Sequence, residues 1–260
     1  MSDLTPGPAR PRRHERRRFL TVYGRNAVLE ALQDPQLACR TLHLASSNRP
    51  NAGIRQLRRA AADRGTAICE HSREELARIS RNGKQDQGVA LDVFCPRLRE
   101  LDSCIDNELA APKQRLLAFD GVTNPQNVGM ALRSATAAGI DGILYADRGN
   151  PRLGPLVIKA SAGTVFRAPL LRCETVLGGL ELLLDRGFDL YRLSAEGTRS
   201  LFELDAMNKS AVFVLGGESD GVSDAVARLP GVDLSIPMAA GVESLNVAVS
   251  AALLAYKVTR

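Results

Sequence analysis

The sequence predicts an α/β protein: a C-terminal half built on a mostly parallel sheet, preceded by a smaller α/β unit. Two patterns carry that expectation. Short apolar runs at 116–119, 142–145 and 212–215 alternate with helix-length segments, as buried parallel strands joined by crossover helices do. A second alternation of short strands and helices occupies 23–94, and the aperiodic stretch after it is bracketed by Pro96 and Pro112. The chain therefore divides into a basic tail (1–20), a small unit (21–95), a linker (96–113) and a larger unit (114–260).

Composition narrows the class. Of 260 residues 45% are hydrophobic, enough for a packed core, and no apolar run reaches the roughly 18 residues of a membrane span. The N-terminal arginine cluster has no apolar segment behind it, which argues against a secretory leader and for the cytoplasm. Five cysteines, odd in number and without a C-x-x-C pair, indicate neither disulfides nor a metal site. The net charge of +5 lies mostly in the tail, where six arginines face Asp3 and Glu15, while 113–260 carries 15 basic and 15 acidic residues. RNA binding would thus need local patches plus the arm PARPRRHERRR, whose plainer reading is a solvated, disordered tail.

From Tyr23 the elements follow in order. Helices are expected at Asn26 to Leu32, Ala52 to Arg64 and Glu74 to Ile79, with strands at Thr41 to Ala45, Ala67 to Glu70 and Val89 to Phe94. Arg55, Arg58 and Arg59 share one helical face that could grip phosphates, although such faces are usually just solvated, and the loop NGKQDQG at 82–88 could reach RNA. In the larger unit, Leu116 to Phe119 is a buried strand. The next helix starts with Asn124 as N-cap and Pro125 at N1, or with Asn127 as N-cap, and Gly139 closes it. Strands follow at Gly142 to Tyr145, Phe166 to Pro169, Asp189 to Ser194, Val212 to Leu215 and Asp233 to Ile236. Helices lie between them at Leu156 to Ala162, Thr175 to Asp185 and Ser223 to Leu229. The last helix, Leu245 to Val258, is apolar on almost every face yet too short to span a bilayer, so it needs cover from protein. Asn246, at its start, must then bond a neighbour, a ligand or the free helix-end amides.

Ligands of parallel sheets sit beyond the carboxyl ends of the strands, and three glycine-containing turns fall there: 120–129, 216–221 and 237–244. They should converge. GGESDG at 216–221 is not G-x-G-x-x-G, which argues against a dinucleotide Rossmann site.

The stretches LLAFDGVTNPQNVGMALRSATAAGIDGIL (116–144), VFVLGGESDGV (212–222) and the IPM…ESLN segment resemble the three motifs of the SpoU (TrmH-like) RNA 2′-O-ribose methyltransferases of the SPOUT superfamily. YGRNAVLEAL, 23–32, resembles the start of the small, ribosomal-protein-like RNA-binding domain that often precedes them. The resemblance implies a deep trefoil knot around S-adenosylmethionine, a homodimer, and methylation of a ribose 2′-hydroxyl in rRNA or tRNA. It places Gly216, Gly217, Ile236, Met238 and Leu245 at the cofactor. Asn127, Arg133, Glu218, Ser244 and Asn246 fall near the chemistry, with Arg133 assigned to activating the hydroxyl. A guanidinium hardly deprotonates, so a bidentate clamp on the target phosphate is the easier role. Arg133 follows Gly129 by one turn, where a missing side chain would admit substrate, and Ala131, Leu132, Ala135 and Ala138 suggest a packed setting; a surface cation is the alternative. Glu218 would take a proton or orient Asn127 and Arg133, or merely cap the helix at 223. The family's first motif usually reads D-P-x-N, and Asn124 replaces the acid here. A non-catalytic RNA-binding protein of the same fold, an assembly or resistance factor, is the competing reading.

Overall fold

The computed structural model describes residues 18–260 apart from 108, 112, 205, 206 and 240. Most of the tail, 1–17, lies outside the described residues. A four-stranded sheet comes first. Its strands are β1 (Phe19–Tyr23), β2 (Ala38–Ala45), β3 (Ala67–His71) and β4 (Val89–Phe94), in the order β1-β4-β2-β3. β1 overturns two residues of the expected tail. FLTVY alternates, with Leu20 and Val22 buried, and pairs antiparallel with β4 from Phe19↔Phe94 to Tyr23↔Ala90. Helices α1 (Arg25–Gln33) and α2 (Ala52–Asp63) bury Val28, Leu32, Ile54 and Leu57 with Leu42, Leu44, Leu91 and Val93 of the sheet. On the other face α3 (Arg73–Ser80) packs Leu76 against Ala45 and Ala90.

The stretch expected as a linker is packed structure. Leu98, Leu101, Cys104, Ile105 and Leu109 are buried, and β5 (Arg99–Glu100) pairs with the edge of the large sheet before a single helical turn, α4 (Leu101–Cys104). The apolar residues at 101, 104 and 105 have helical spacing, too brief to stand out between two prolines.

The large sheet adds β6 (Arg115–Phe119), β7 (Gly142–Ala146), β8 (Leu170–Cys173), β9 (Asp189–Leu193), β10 (Arg199–Ser200), β11 (Ala211–Leu215) and β12 (Val232–Ser235). Its order is β10-β12-β9-β11-β6-β7-β8-β5 with parallel pairings throughout. Because β11 lies between β6 and β9, the ends Phe119, Leu193 and Leu215 are brought level, since Leu215 pairs with both others. The strand expected at 166–169 is displaced to 170–173. Gly163, at φ 75°, starts a 3-10 turn over Thr164–Phe166, and the strand begins only after Pro169, which has no N–H to donate.

Helix α5 (Pro125–Ala138) starts at the first of the two expected positions, with the Asn124 side chain accepting from the Gln126 amide, and closes at Gly139 in the left-handed region. Helices α6 (Pro155–Ala160), α7 (Val176–Asp185) and α8 (Asp224–Ala227) connect the later strands. The last helix, α9 (Val247–Val258), lies on α5 and begins two residues later than expected, because Asn246 caps it rather than joining it. Its cover within the chain is incomplete. Val249 is 48% exposed and Tyr256 40%, and on α5 Met130 is 42% exposed. Among the described residues no helix is long and apolar enough to cross a membrane.

Candidate active site

A cleft of about 1060 Å³ opens beyond the carboxyl ends of β9, β11 and β12, walled by the turns after them and by residues 242–247. The turn after β11 is tight because of its glycines. Gly217 and Gly221 exchange backbone hydrogen bonds at 2.8 and 3.1 Å. A Cβ on Gly216 would stand 2.0 Å from the Gly221 carbonyl carbon, and one on Gly217 would stand 2.8 Å from the Gly121 oxygen. These glycines therefore let the chain fold against itself, joining the turn at 121 to the turn at 217. Asp120 strengthens the joint by accepting from the Ser223 amide at 2.7 Å.

Three side chains from distant parts of the chain close a ring over this joint. Asn127, in the first turn of α5, is 4% exposed. Its Nδ2 donates to Glu218 Oε1 at 2.7 Å. Asn246 donates through Nδ2 to the same oxygen at 3.0 Å and to Asn127 Oδ1 at 3.1 Å, while its own Oδ1 accepts from the Ala248 amide at 2.9 Å and caps α9. With the Asn246 nitrogen facing two oxygens and its oxygen facing an N–H, every one of these contacts is satisfied. Asn246 was expected to be buried; it is exposed, yet fully partnered.

Gly216, Gly217, Ile236, Met238, Ser244 and Leu245 all line the cleft beside Glu218 and Asn246. Arg133 is not in the ring. It lies nearly two turns beyond Asn127 on α5, exposed and without a hydrogen-bond or ion-pair partner among the described residues, contrary to the packed setting expected from its alanine neighbours. Gly129 does not admit substrate either, since a Cβ there would meet Ala160 Cβ at 2.6 Å and the Val157 carbonyl oxygen at 2.8 Å. Its role is to let α6 pack tightly on α5. In the N-terminal unit Arg58 is tied to Glu70, whereas Arg55 and Arg59 have no partner among the described residues.

Sequence reasoning missed the contribution of β9. Ser194 and Glu196 follow its end and line the cleft, and the signal was available, because 194 ends a strand of the same sheet. It also passed over the charge of the cleft. Glu196, Glu218, Asp220 and Glu243 line it, and among the described residues no Lys, Arg or His does. Such a lining favours a cationic group and disfavours a polyanion. No group of three or more His, Cys, Asp or Glu side chains among the described residues is placed to hold a metal ion.

Comparison with known proteins places this architecture. Residues 114–256 match the SpoU rRNA Methylase family, and residues 21–98 match the family described as RNA 2'-O ribose methyltransferase substrate binding. An uncharacterized tRNA/rRNA methyltransferase of Mycobacterium tuberculosis is 33% identical over 254 residues, spanning 97% of this chain and 78% of that protein. Among solved structures, the AdoMet-bound rRNA methyltransferase of Sinorhizobium meliloti superposes with a TM-score of 0.63 at 21% identity, covering 93% of this chain and 87% of that one. The SpoU methyltransferase AviRb of Streptomyces viridochromogenes, in complex with AdoMet, superposes with a TM-score of 0.62 at 23% identity, covering 94% and 90%. At these identities the two structures share the fold.

Proposed function

The chain belongs to the SpoU rRNA methylase family, and from that premise we propose that it methylates RNA at a ribose 2′-hydroxyl, in rRNA or tRNA, using S-adenosylmethionine. The observation that carries the reading is the Asn127–Glu218–Asn246 ring at the mouth of an acid-lined cleft. The residues present fit this cofactor. Ile236, Met238 and Leu245 give apolar surface for an adenine, the glycine-rich turn at 216–217 offers backbone groups, and the four carboxylates suit a sulfonium. When bound, the cofactor supplies a methyl group made electrophilic by the sulfonium.

The chain's own residues do the rest by positioning. The ring holds the turn at 218 against the start of α5, so the cleft is organised before RNA arrives. Glu218 is the acceptor available to orient the reacting hydroxyl or take its proton, because its Oε1 is already fixed by two amide donors. Ser244, exposed on the cleft wall, is a further hydroxyl for the ribose. Arg133, exposed and unpaired among the described residues, keeps its bidentate fork free for the phosphate of the target nucleotide. In this reading the turns at 216–222 and 241–246 belong to a trefoil knot, and Met130, Val249 and Tyr256 on α5 and α9 are covered by a second copy. The RNA is met in the cytoplasm.

The experiment is transfer of tritiated methyl from S-adenosylmethionine to unmodified rRNA and tRNA transcripts, followed by alkaline hydrolysis. Label in alkali-resistant dinucleotides is expected. Label on bases would refute ribose chemistry, and absence of cofactor binding by calorimetry would leave a non-catalytic RNA binder as the function.

A further inference from the structure

Between the four-stranded sheet and the larger sheet runs a second cavity, of about 510 Å³. Its walls are the start of α1 and the 85–87 loop on one side, and Pro125 and residues 151–156 on the other. Its chemistry is the inverse of the acidic cleft. Arg25 and Arg152 line it together with Asn26, Gln85, Gln87 and the aromatic Tyr23, and among the described residues no carboxylate does.

The two cations are held but not neutralised. Arg25 points Nε at the Gln87 carbonyl oxygen, 3.4 Å away, and Arg152 Nη1 donates to the Arg81 carbonyl at 2.8 Å. Among the described residues neither forms an ion pair, so each carries its full charge into the crevice. The wall behind them is rigid. Fully buried Asp86 accepts from the Gly88 amide at 2.9 Å and Ser80 Oγ at 2.8 Å, and pairs with Arg73, which also bonds the Gly83 carbonyl. Arg81 and Gln87 both take left-handed backbone, φ 53°, at either end of this loop, a conformation uncommon for non-glycine residues. Gln87 Oε1 in turn accepts from the Arg25 amide at 3.0 Å, where Gly24 gives α1 no side-chain cap.

We propose that this crevice seats a single-stranded segment of the RNA substrate adjoining the methylated nucleotide, phosphates on Arg25 and Arg152 and bases against Tyr23 and the amides. The assignment rests on the RNA-methyltransferase reading above and names where its substrate runs. Three features select a single strand. A cavity of this size holds about one or two nucleotides and excludes an A-form duplex. Cations that track a backbone, beside an aromatic ring and side-chain amides able to bond base edges, are the usual components of single-strand grooves. The crevice also leads to the catalytic ring, because Pro125 on its wall opens the helix that carries Asn127 two residues on.

The test uses the full chain and unmodified rRNA and tRNA transcripts. Filter binding across a KCl series would compare wild type with Arg25→Gln, Arg152→Gln and Asn26→Asp. Asn26→Asp adds an anion to the crevice in the first turn of α1, where an acid favours the helix, so its effect is not a folding defect. Each variant is expected to weaken RNA binding about five- to tenfold at 0.1 M salt, and each arginine variant to lower the salt slope by about 0.7, one phosphate contact on a single strand. Transcripts carrying 4-thiouridine should photocrosslink within 23–27, 85–87 or 151–156. Wild-type affinity and slope in all three variants, or crosslinks confined to other segments, would overturn the assignment; a protein partner in the crevice would give that same result. Cofactor binding measured on the same proteins separates the two ideas. Loss of RNA binding in a protein that never binds or uses S-adenosylmethionine would refute the enzyme and keep the crevice, and methylation with unchanged KM in the variants would do the reverse.

Discussion

Asn127→Asp isolates the ring. The substitution is isosteric and replaces the Nδ2–H donor, 2.7 Å from Glu218 Oε1, with an oxygen at a site only 4% exposed. Two ionised carboxylates about 4 Å apart repel by about 4 kcal/mol at the effective dielectric of a protein surface. The chain can escape by holding a proton on the pair, and at pH 7 that costs about 4 kcal/mol for a carboxyl of ordinary pKa near 4. Glu218 reaches solvent and can turn away, which lowers the cost, so a destabilisation of about 2–4 kcal/mol is expected at pH 7. The sign of the pH dependence follows. The folded variant holds its proton to higher pH than the unfolded chain, so the penalty is absent near pH 4 and grows as pH rises, by at most about 1.4 kcal/mol per unit. Urea titrations at pH 5, 6, 7 and 8 measure it. The double variant Asn127→Asp/Glu218→Gln reverses donor and acceptor and should recover most of the loss. A difference that is flat with pH and below about 1 kcal/mol, or no recovery in the double variant, would refute the ring as drawn.

Arg133→Lys should lower single-turnover methylation by about two orders of magnitude, about 3 kcal/mol of barrier, with a modest loss of RNA affinity and unchanged cofactor binding; recovery of its rate above about pH 9.5 would reject the clamp and favour a base. Burial, then the neighbouring His43, lowers the pKa of His71. The unfolded chain therefore takes up this proton first, and stability should fall as pH drops below about 6.5, less so in His71→Gln; parallel pH profiles of urea midpoints would count against it. Gly129→Ala should destabilise by about 1–3 kcal/mol in thermal melts, since the new Cβ would meet the Val157 carbonyl at 2.8 Å and Ala160 Cβ at 2.6 Å, and an unchanged Tm would contradict the packing of α6. Burial pushes the Cys95 and Cys173 thiols up to about 12, so iodoacetamide at pH 8 should leave both unmodified in the folded protein.

The parallel sheet was legible because its strands are short apolar runs buried on both faces, as Leu116–Phe119 and Val212–Leu215 are. Local capping chemistry also carried through, in Asn124 before Pro125 and in Gly139 at φ 90°. Failures came where a residue's environment depends on contacts remote in sequence. Phe19–Tyr23 is a strand only because Val89–Phe94 pairs with it, and it hid behind a run of arginines. Leu98–Ile105 packs because Arg99 and Glu100 dock on β8, far along the chain. Arg133 has alanines beside it in sequence, but Asn127, Val128, Ala131, Leu132 and Ala135 turn inward on α5 while Met130 and Arg133 turn outward, so sequence neighbours misjudge its surroundings. Gly129 announced a close approach, but the expected approach of substrate is replaced by Ala160 and the Val157 carbonyl of α6, which no spacing along the sequence discloses; at Gly216 the chain's own Gly221 backbone comes closer still.

Asn246 shows how the site and the fold share one residue. Its oxygen closes the start of α9, a cap of the kind worth about 1 kcal/mol, and its nitrogen holds Glu218 and Asn127. A serine there could cap the helix but not reach both partners, and an aspartate could cap it but would turn a second carboxylate toward Glu218. Asparagine has an acceptor and a two-hydrogen donor on one short stem, which is what this junction of α5, the 216–221 turn and α9 requires. The consequence is mechanical. Residues 242–245 run directly into that cap and form a wall of the cleft, so the wall is anchored through Asn246 to α5, the helix that carries Arg133 and begins at the crevice. A cofactor pressing on 244–245 and an RNA strand entering along Pro125 would therefore act on two ends of one hydrogen-bonded unit, and each would find the other's side already in place.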